Sequence, residues 1–152
     1  MRPTLPSPVG SVSEQDAPWV DVAGGQRRLV HADIERGIWV LGVRYEPGSG
    51  KERHHHTGEV FGWTISGRWL YREYGIVYEA GSFVHETAGS AHTLVVPDDN
   101  EGVTEVLFIV HGANLVLDDN DEVLTINDAA TFRARYLRLC AEQGKRAGAF
   151  DD

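Results

Sequence analysis

The chain has 152 residues, 41% of them apolar and 24% charged, which suits one domain able to bury a core without disulfides or a structural metal. Its formal net charge of −9 argues against a nucleic-acid partner, because binding to a phosphate backbone is driven by clustered Lys and Arg. The single cysteine, Cys140, rules out an intrachain disulfide.

Residues 1–16, rich in Pro and Ser, read as a flexible N-terminal arm. The stretch Met1 to Val12 holds Pro3, Pro6 and Pro8 and no apolar run, so it is not expected to be a secretory signal. No apolar run in the chain approaches the roughly 20 residues that span a bilayer. A soluble cytoplasmic protein with no membrane partner is expected.

From Trp19 onward the chain breaks into short extended segments separated by turn signals. Ile38 to Tyr45 alternates and is β-branched, and Pro47-Gly48-Ser49-Gly50 is a loop. Further strands are predicted over Glu59 to Ser66, Trp69 to Tyr74, Ile76 to Ala80, Ser82 to Glu86, His92 to Val96, Val103 to His111, Asn114 to Leu117 and Val123 to Ile126. Many short strands at regular spacing indicate an all-β sandwich or barrel. The pattern then changes. Phe132, Tyr136, Leu139 and Cys140 recur at helical spacing, which predicts one amphipathic helix over 128–143, packed outside the barrel. Asn127 is placed to cap it and Gly144 to end it. One domain, 17–144, is expected, followed by a loose polar tail, 145–152.

Four of the seven histidines stand out: His54, His55, His56 and His92. Alternation along an extended segment puts His54 and His56 on one face and His55 on the other. Two imidazoles on one strand form a pincer for a metal, and His92, opening a later strand, is placed to close the site from the far wall. Taken alone, Arg53-His54-His55-His56 reads equally as a solvated polar loop.

The surrounding residues resemble the two sequence motifs of the cupin superfamily. Gly48, His54-x-His56 and Gly67 match the first, and Gly81, Thr87-Ala88-Gly89, His92 and Val96 match the second, with Thr87 in place of proline and Val96 in place of asparagine. The resemblance implies a double-stranded β-helix, or jelly-roll, barrel with a metal in its mouth. The glutamate of the first motif falls at Val60, and Glu59 lies one residue early. A one-residue shift turns a strand side chain to the other face, so Glu59 is not expected to be a ligand. Along Trp69 to Tyr74, Trp69, Tyr71 and Glu73 share a face. Arg72 is costly to bury unpaired, so Glu73 is assigned to the barrel interior as the missing carboxylate, a catalytic or supporting group. Within the cupins, His54-x-His56-Thr57-Gly58, Gly67-Arg68-Trp69, Tyr71, Glu73, Ala80-Gly81-Ser82 and His92 to Val96 are similar to the 2,4′-dihydroxyacetophenone dioxygenase family.

That resemblance implies iron(II) on His54, His56 and His92, and O₂-dependent cleavage of a carbon–carbon bond in an aromatic α-hydroxyketone. Imidazole also suits Zn, Ni, Mn or Cu, so iron rests on the resemblance. Three neutral histidines leave open positions where the ketone and hydroxyl oxygens of a substrate can chelate. Trp69, Tyr71, Leu94 and Val96 are expected to line the pocket, with Phe83, His85 and Trp63 as further wall residues. The alternatives are a metal-dependent isomerase, cyclase or hydrolase, and a non-catalytic metal or ligand sensor. The expected partners are a small-molecule substrate, O₂ and a second copy of the chain in a homo-oligomer, a dimer in the first instance.

Overall fold

The computed structural model describes residues 9–151, so residues 1–8 of the expected arm lie outside the described residues. Strands β1 (Val20–Val22), β2 (Gly25–Asp33), β3 (Ile38–Tyr45), β4 (Gly50–His56), β5 (Val60–Ser66), β6 (Arg68–Tyr71), β7 (Val77–Glu79), β8 (Phe83–Glu86), β9 (Ala91–Val95), β10 (Thr104–His111), β11 (Asn114–Leu117) and β12 (Val123–Asn127) form two sheets. One sheet runs β1-β2-β3-β10-β5-β8 and the other β12-β11-β4-β9-β6-β7. Every pairing is antiparallel. This is the all-β barrel expected from the alternating sequence, in the jelly-roll form that the cupin resemblance implies.

Alternation decides which side chains form the core. In β10, Val106, Phe108 and Val110 are buried, while Leu107 and Ile109 face the outer side. Leu29, Leu41, Val43, Val60 and Val84 fill the interior from neighbouring strands. Each fully buried side chain of this kind contributes about 1.5–3 kcal/mol relative to exposure. Trp39 and Trp69 are buried whole, and each indole N–H finds an acceptor, the Gly112 carbonyl and the Thr64 hydroxyl, both at 2.9 Å. The outer face of β5 and β8 is apolar: Trp63, Ile65 and Phe83 are exposed there, with Phe61 stacked between Phe83 and His85. Gly67 makes the tight β5–β6 hairpin. Its φ is +80°, and an added Cβ would lie 2.3 Å from the Thr104 hydroxyl, so only glycine fits.

Helix α1 (Ala129–Glu142) lies within the predicted span, but its cap is Asp128. Asp128 Oδ1 accepts from the Thr131 N–H, and Thr131 Oγ1 accepts from the Asp128 N–H, both at 2.8 Å, a reciprocal capping box. Asn127 instead ends β12, and its amide oxygen accepts from Arg135. The helix buries Phe132, Tyr136 and Cys140 and packs on β1, β2 and β12. Phe132 meets Trp39, with ring centroids 5.0 Å apart.

Both segments read as loose have anchors. Ser13 and Asp16 form a turn, Ala17 is fully buried, and the Asp16 carbonyl accepts from the Ala149 N–H. In the tail, Ala147 is buried, Lys145 donates to the Trp19 carbonyl, and Phe150 packs on Tyr136. Among the described residues, no helix is long and apolar enough to cross a membrane.

Candidate metal centre

Strand pairing brings the histidines together. His54 on β4 is the direct cross-strand partner of His92 on β9, and His56 lies two residues further along β4. Cross-strand neighbours have Cβ atoms about 4.5–5.5 Å apart, so the three rings share one face. Their centroids lie 4.6–5.0 Å from one another. His92 therefore comes from the neighbouring strand and not from the far wall. The far wall supplies Glu86, at the end of β8. His54, His56, His92 and Glu86 each offer a donor atom within 4.8 Å of the others. His55 is not among them.

The outer nitrogen of each ring is engaged. His56 Nδ1 lies 2.5 Å from Asn114 Oδ1, His92 Nδ1 lies 3.0 Å from the Tyr74 hydroxyl, and His54 Nδ1 lies 3.3 Å from the Glu52 carbonyl. With Nδ1–H donating to these oxygens, each ring presents its Nε2 lone pair to the centre. His56 Nε2 and His92 Nε2 are 3.1 Å apart, close enough to share a proton or a cation. Glu86 Oε1 is 2.6 Å from His92 Nε2, 3.1 Å from His56 Nε2, and accepts from the Tyr71 hydroxyl at 2.6 Å. Its Oε2 is buried with no partner among the described residues. Converging lone pairs, a carboxylate and an orphaned carboxylate oxygen are the chemistry of a cation site. The His₃–Glu set fits a divalent transition metal.

The electrostatics follow from this crowding. Burial, then the neighbouring His56 and His92, lower the His54 pKa to about 4, favouring the neutral ring a metal needs. Burial alone would raise the Glu86 carboxyl, but without a metal the His56 and His92 rings can carry their protons on Nε2, and bonds from them and from Tyr71 pull it down to about 2. Burial and Glu86 push the Tyr71 phenol well above its ordinary value, so it stays a donor. Tyr71 also stacks on His92, with centroids 3.7 Å apart, which fixes that ring.

The structure corrects the carboxylate assignment. β6 ends at Tyr71, and Arg72 to Tyr74 form a turn, so alternation does not carry through to Glu73. Glu73 accepts from the Thr93 backbone N–H at 2.8 Å and pairs with Arg53 at 3.4 Å. Glu59 faces outward and accepts from His85 at 2.9 Å. Alternation along Phe83 to Glu86 defines two faces, and the expected wall residues Phe83 and His85 lie on the outer one. Val84 and Glu86 are the buried pair of that strand.

A cavity of about 300 Å³ adjoins the cluster. Of the expected wall residues, Tyr71 and Leu94 line it. Trp69 and Val96 are core instead, and Phe83, His85 and Trp63 lie on the outer face of the barrel. The wall is completed by residues the sequence did not assign to it, among them Tyr45, Phe108, Phe132 and Tyr136. Pocket residues drawn from separate strands and a helix carry no local sequence signal.

Comparison with known proteins agrees with this architecture. An RmlC-like cupin protein from Ralstonia eutropha JMP134 is 33% identical over 90% of each chain, with a TM-score of 0.83. An acetylacetone dioxygenase from Acinetobacter johnsonii shares the fold at 19% identity, over 90% of this chain and 95% of that one, with a TM-score of 0.73. Rhodobacter sphaeroides SigE in complex with the anti-sigma ChrR gives 16% identity over 61% of this chain and 48% of that one, with a TM-score of 0.51. No curated protein matches. The ChrR cupin-like domain family matches residues 10–114, a span that includes all four residues of the cluster, and the chain belongs to that family.

Proposed function

We propose that the protein is an iron(II)-dependent dioxygenase cleaving a carbon–carbon bond of an aromatic or similar α-hydroxyketone with O₂, as the resemblance to the 2,4′-dihydroxyacetophenone dioxygenase family implies. The observation that carries this reading is the convergence of His54, His56, His92 and Glu86 beside an aromatic-walled cavity. A metal held there supplies Lewis acidity and open positions for substrate oxygens and O₂.

The chain's own groups have defined tasks. Asn114, Tyr74 and the Glu52 carbonyl hold the outer nitrogen of each ring and so orient it. Tyr71 holds Glu86 Oε1, leaving Oε2 free to accept a hydrogen bond from a substrate hydroxyl. Tyr71, Leu94 and Phe108 line the cavity beside the cluster. The acetylacetone dioxygenase of the same fold acts on a small carbonyl compound, in keeping with this substrate class.

The test is metal analysis of protein purified without added metal, then O₂ uptake and acid product from 2,4′-dihydroxyacetophenone and related ketones with iron-loaded protein. Stoichiometric O₂ consumption is expected. Tight native zinc with no O₂ uptake from any of them would overturn the reading, turnover of another substrate favouring an isomerase, cyclase or hydrolase, and its absence a sensor.

A further inference from the structure

The cavity wall carries two guanidinium groups that the metal cluster does not use. Arg27, on β2, and Arg135, on α1, both line it and both are half-buried. Arg27 spends one nitrogen, Nη1, on the carbonyls of Gln26 at 2.8 Å and Arg44 at 3.3 Å. Its Nε and Nη2 have no partner among the described residues. Arg135 donates through Nη2 to Asn127 Oδ1. Neither has a carboxylate within ion-pair distance among the described residues. Tyr45 lines the same wall beneath Arg27, whose guanidinium carbon sits 4.7 Å from the ring centroid. The Tyr45 hydroxyl is also without a hydrogen-bond partner among the described residues.

A surface arginine can satisfy its spare donors with water at little cost. Arg27 and Tyr45 stand where the cavity meets an open groove that both also line, and a half-buried guanidinium with spare forked donors above an unused phenol is arranged to receive an oxyanion. Two other charges reach this wall. Glu86 is committed to the histidines and Tyr71, and Glu52 is exposed, so solvent screens it.

We infer that this part of the cavity binds a carboxylate, with Arg27, Arg135 and the Tyr45 hydroxyl as donors, so that the substrate is a carbonyl compound bearing an acid group. This deepens the α-hydroxyketone reading of the same site. The ketone end is directed to the histidines and the acid end to the arginines. A cavity of about 300 Å³ accommodates one ring with both substituents.

The test compares two probes, 2-hydroxyacetophenone and 4-(hydroxyacetyl)benzoate, which share the hydroxyketone and differ in one carboxylate. Binding to zinc-loaded full-length protein is measured by calorimetry, so no oxygen chemistry enters. The carboxylate probe is expected to bind about 30-fold more tightly or better, the loss typical of removing one partner of a desolvated charge pair. Arg27→Gln should bring the two probes close to parity, and Arg135→Gln and Tyr45→Phe should each narrow the gap. A purely structural Arg27 would lower stability without changing the ratio between probes. Equal binding of the two probes by the unaltered protein, binding of neither, or equal weakening of both by Arg27→Gln would overturn the inference. An Arg27-dependent preference without O₂ uptake by iron-loaded protein keeps the carboxylate site and ends the dioxygenase reading. O₂ uptake without that preference does the reverse.

Discussion

Val60 and Glu86 are direct partners across the β5–β8 ladder, and both side chains point into the barrel. The first cupin motif places its glutamate at the Val60 position. Here that position is apolar, and the carboxylate stands one strand over. Because cross-strand partners on one face lie about 4.5–5.5 Å apart, the donor stays within reach of the same three histidines.

Glu86→Gln is expected to lower metal affinity about 10–100-fold, the usual cost of losing a group that supports or completes a metal site. Glu73→Gln should leave it within about twofold, since surface changes away from the site cost little, and should weaken only the contacts to Thr93 and Arg53. Competition titration with a chromophoric chelator reads both. Equal losses for the two variants would remove Glu86 from the donor set.

Metal-free protein should lose stability as pH falls. The His54 pKa is about 4 in the folded chain against an ordinary value of 6.5, so between these values the unfolded chain binds more protons. The His54 contribution is complete above 6.5 and is lost as pH drops through about 4. Urea midpoints across this window should fall for the unaltered chain and fall less for His54→Asn. Parallel slopes would show that His54 titrates normally.

Tyr71→Phe keeps the ring that stacks on His92 but removes the hydroxyl bond to Glu86. Hydrogen bonds to charged groups contribute about 1.5–3 kcal/mol, and thermal unfolding should show a loss of that order. In a double-mutant cycle with Glu86→Gln the losses should not add, because the two residues share one contact.

Trp69→Ala is expected to cost about 3–5 kcal/mol, as for other buried aromatics. The indole is fully buried and bonded to Thr64. Phe83→Ala, on the exposed outer face, should shift stability by no more than about 0.5 kcal/mol in the monomer. Denaturation curves compare the two directly.

Much of the architecture was legible because alternation is a local property. The β10 pattern of Val106, Phe108 and Val110 against Leu107 and Ile109 announces one buried face wherever the strand is placed. The three histidines were legible through spacing and motif. Glu86 was not, because alternation defines two faces and only the fold says which looks inward. Glu73 misled for a related reason: the period of two holds only while the strand lasts, and β6 stops at Tyr71. Asn114 and Tyr74, which engage the outer nitrogens of His56 and His92, were invisible for want of any sequence proximity to those rings.

The four donors also differ in how firmly their strands are held. β4 and β9 each have a strand on both sides, whereas β8 is the outermost strand of its sheet and is bound along one edge, by β5. Edge segments open more often than central ones. Three donors thus sit on long-lived backbone and the fourth on backbone that breathes faster. The time an ion spends in the site would then be set by the opening frequency of β8, and amide exchange along Phe83–Glu86 would keep the same clock as metal exchange.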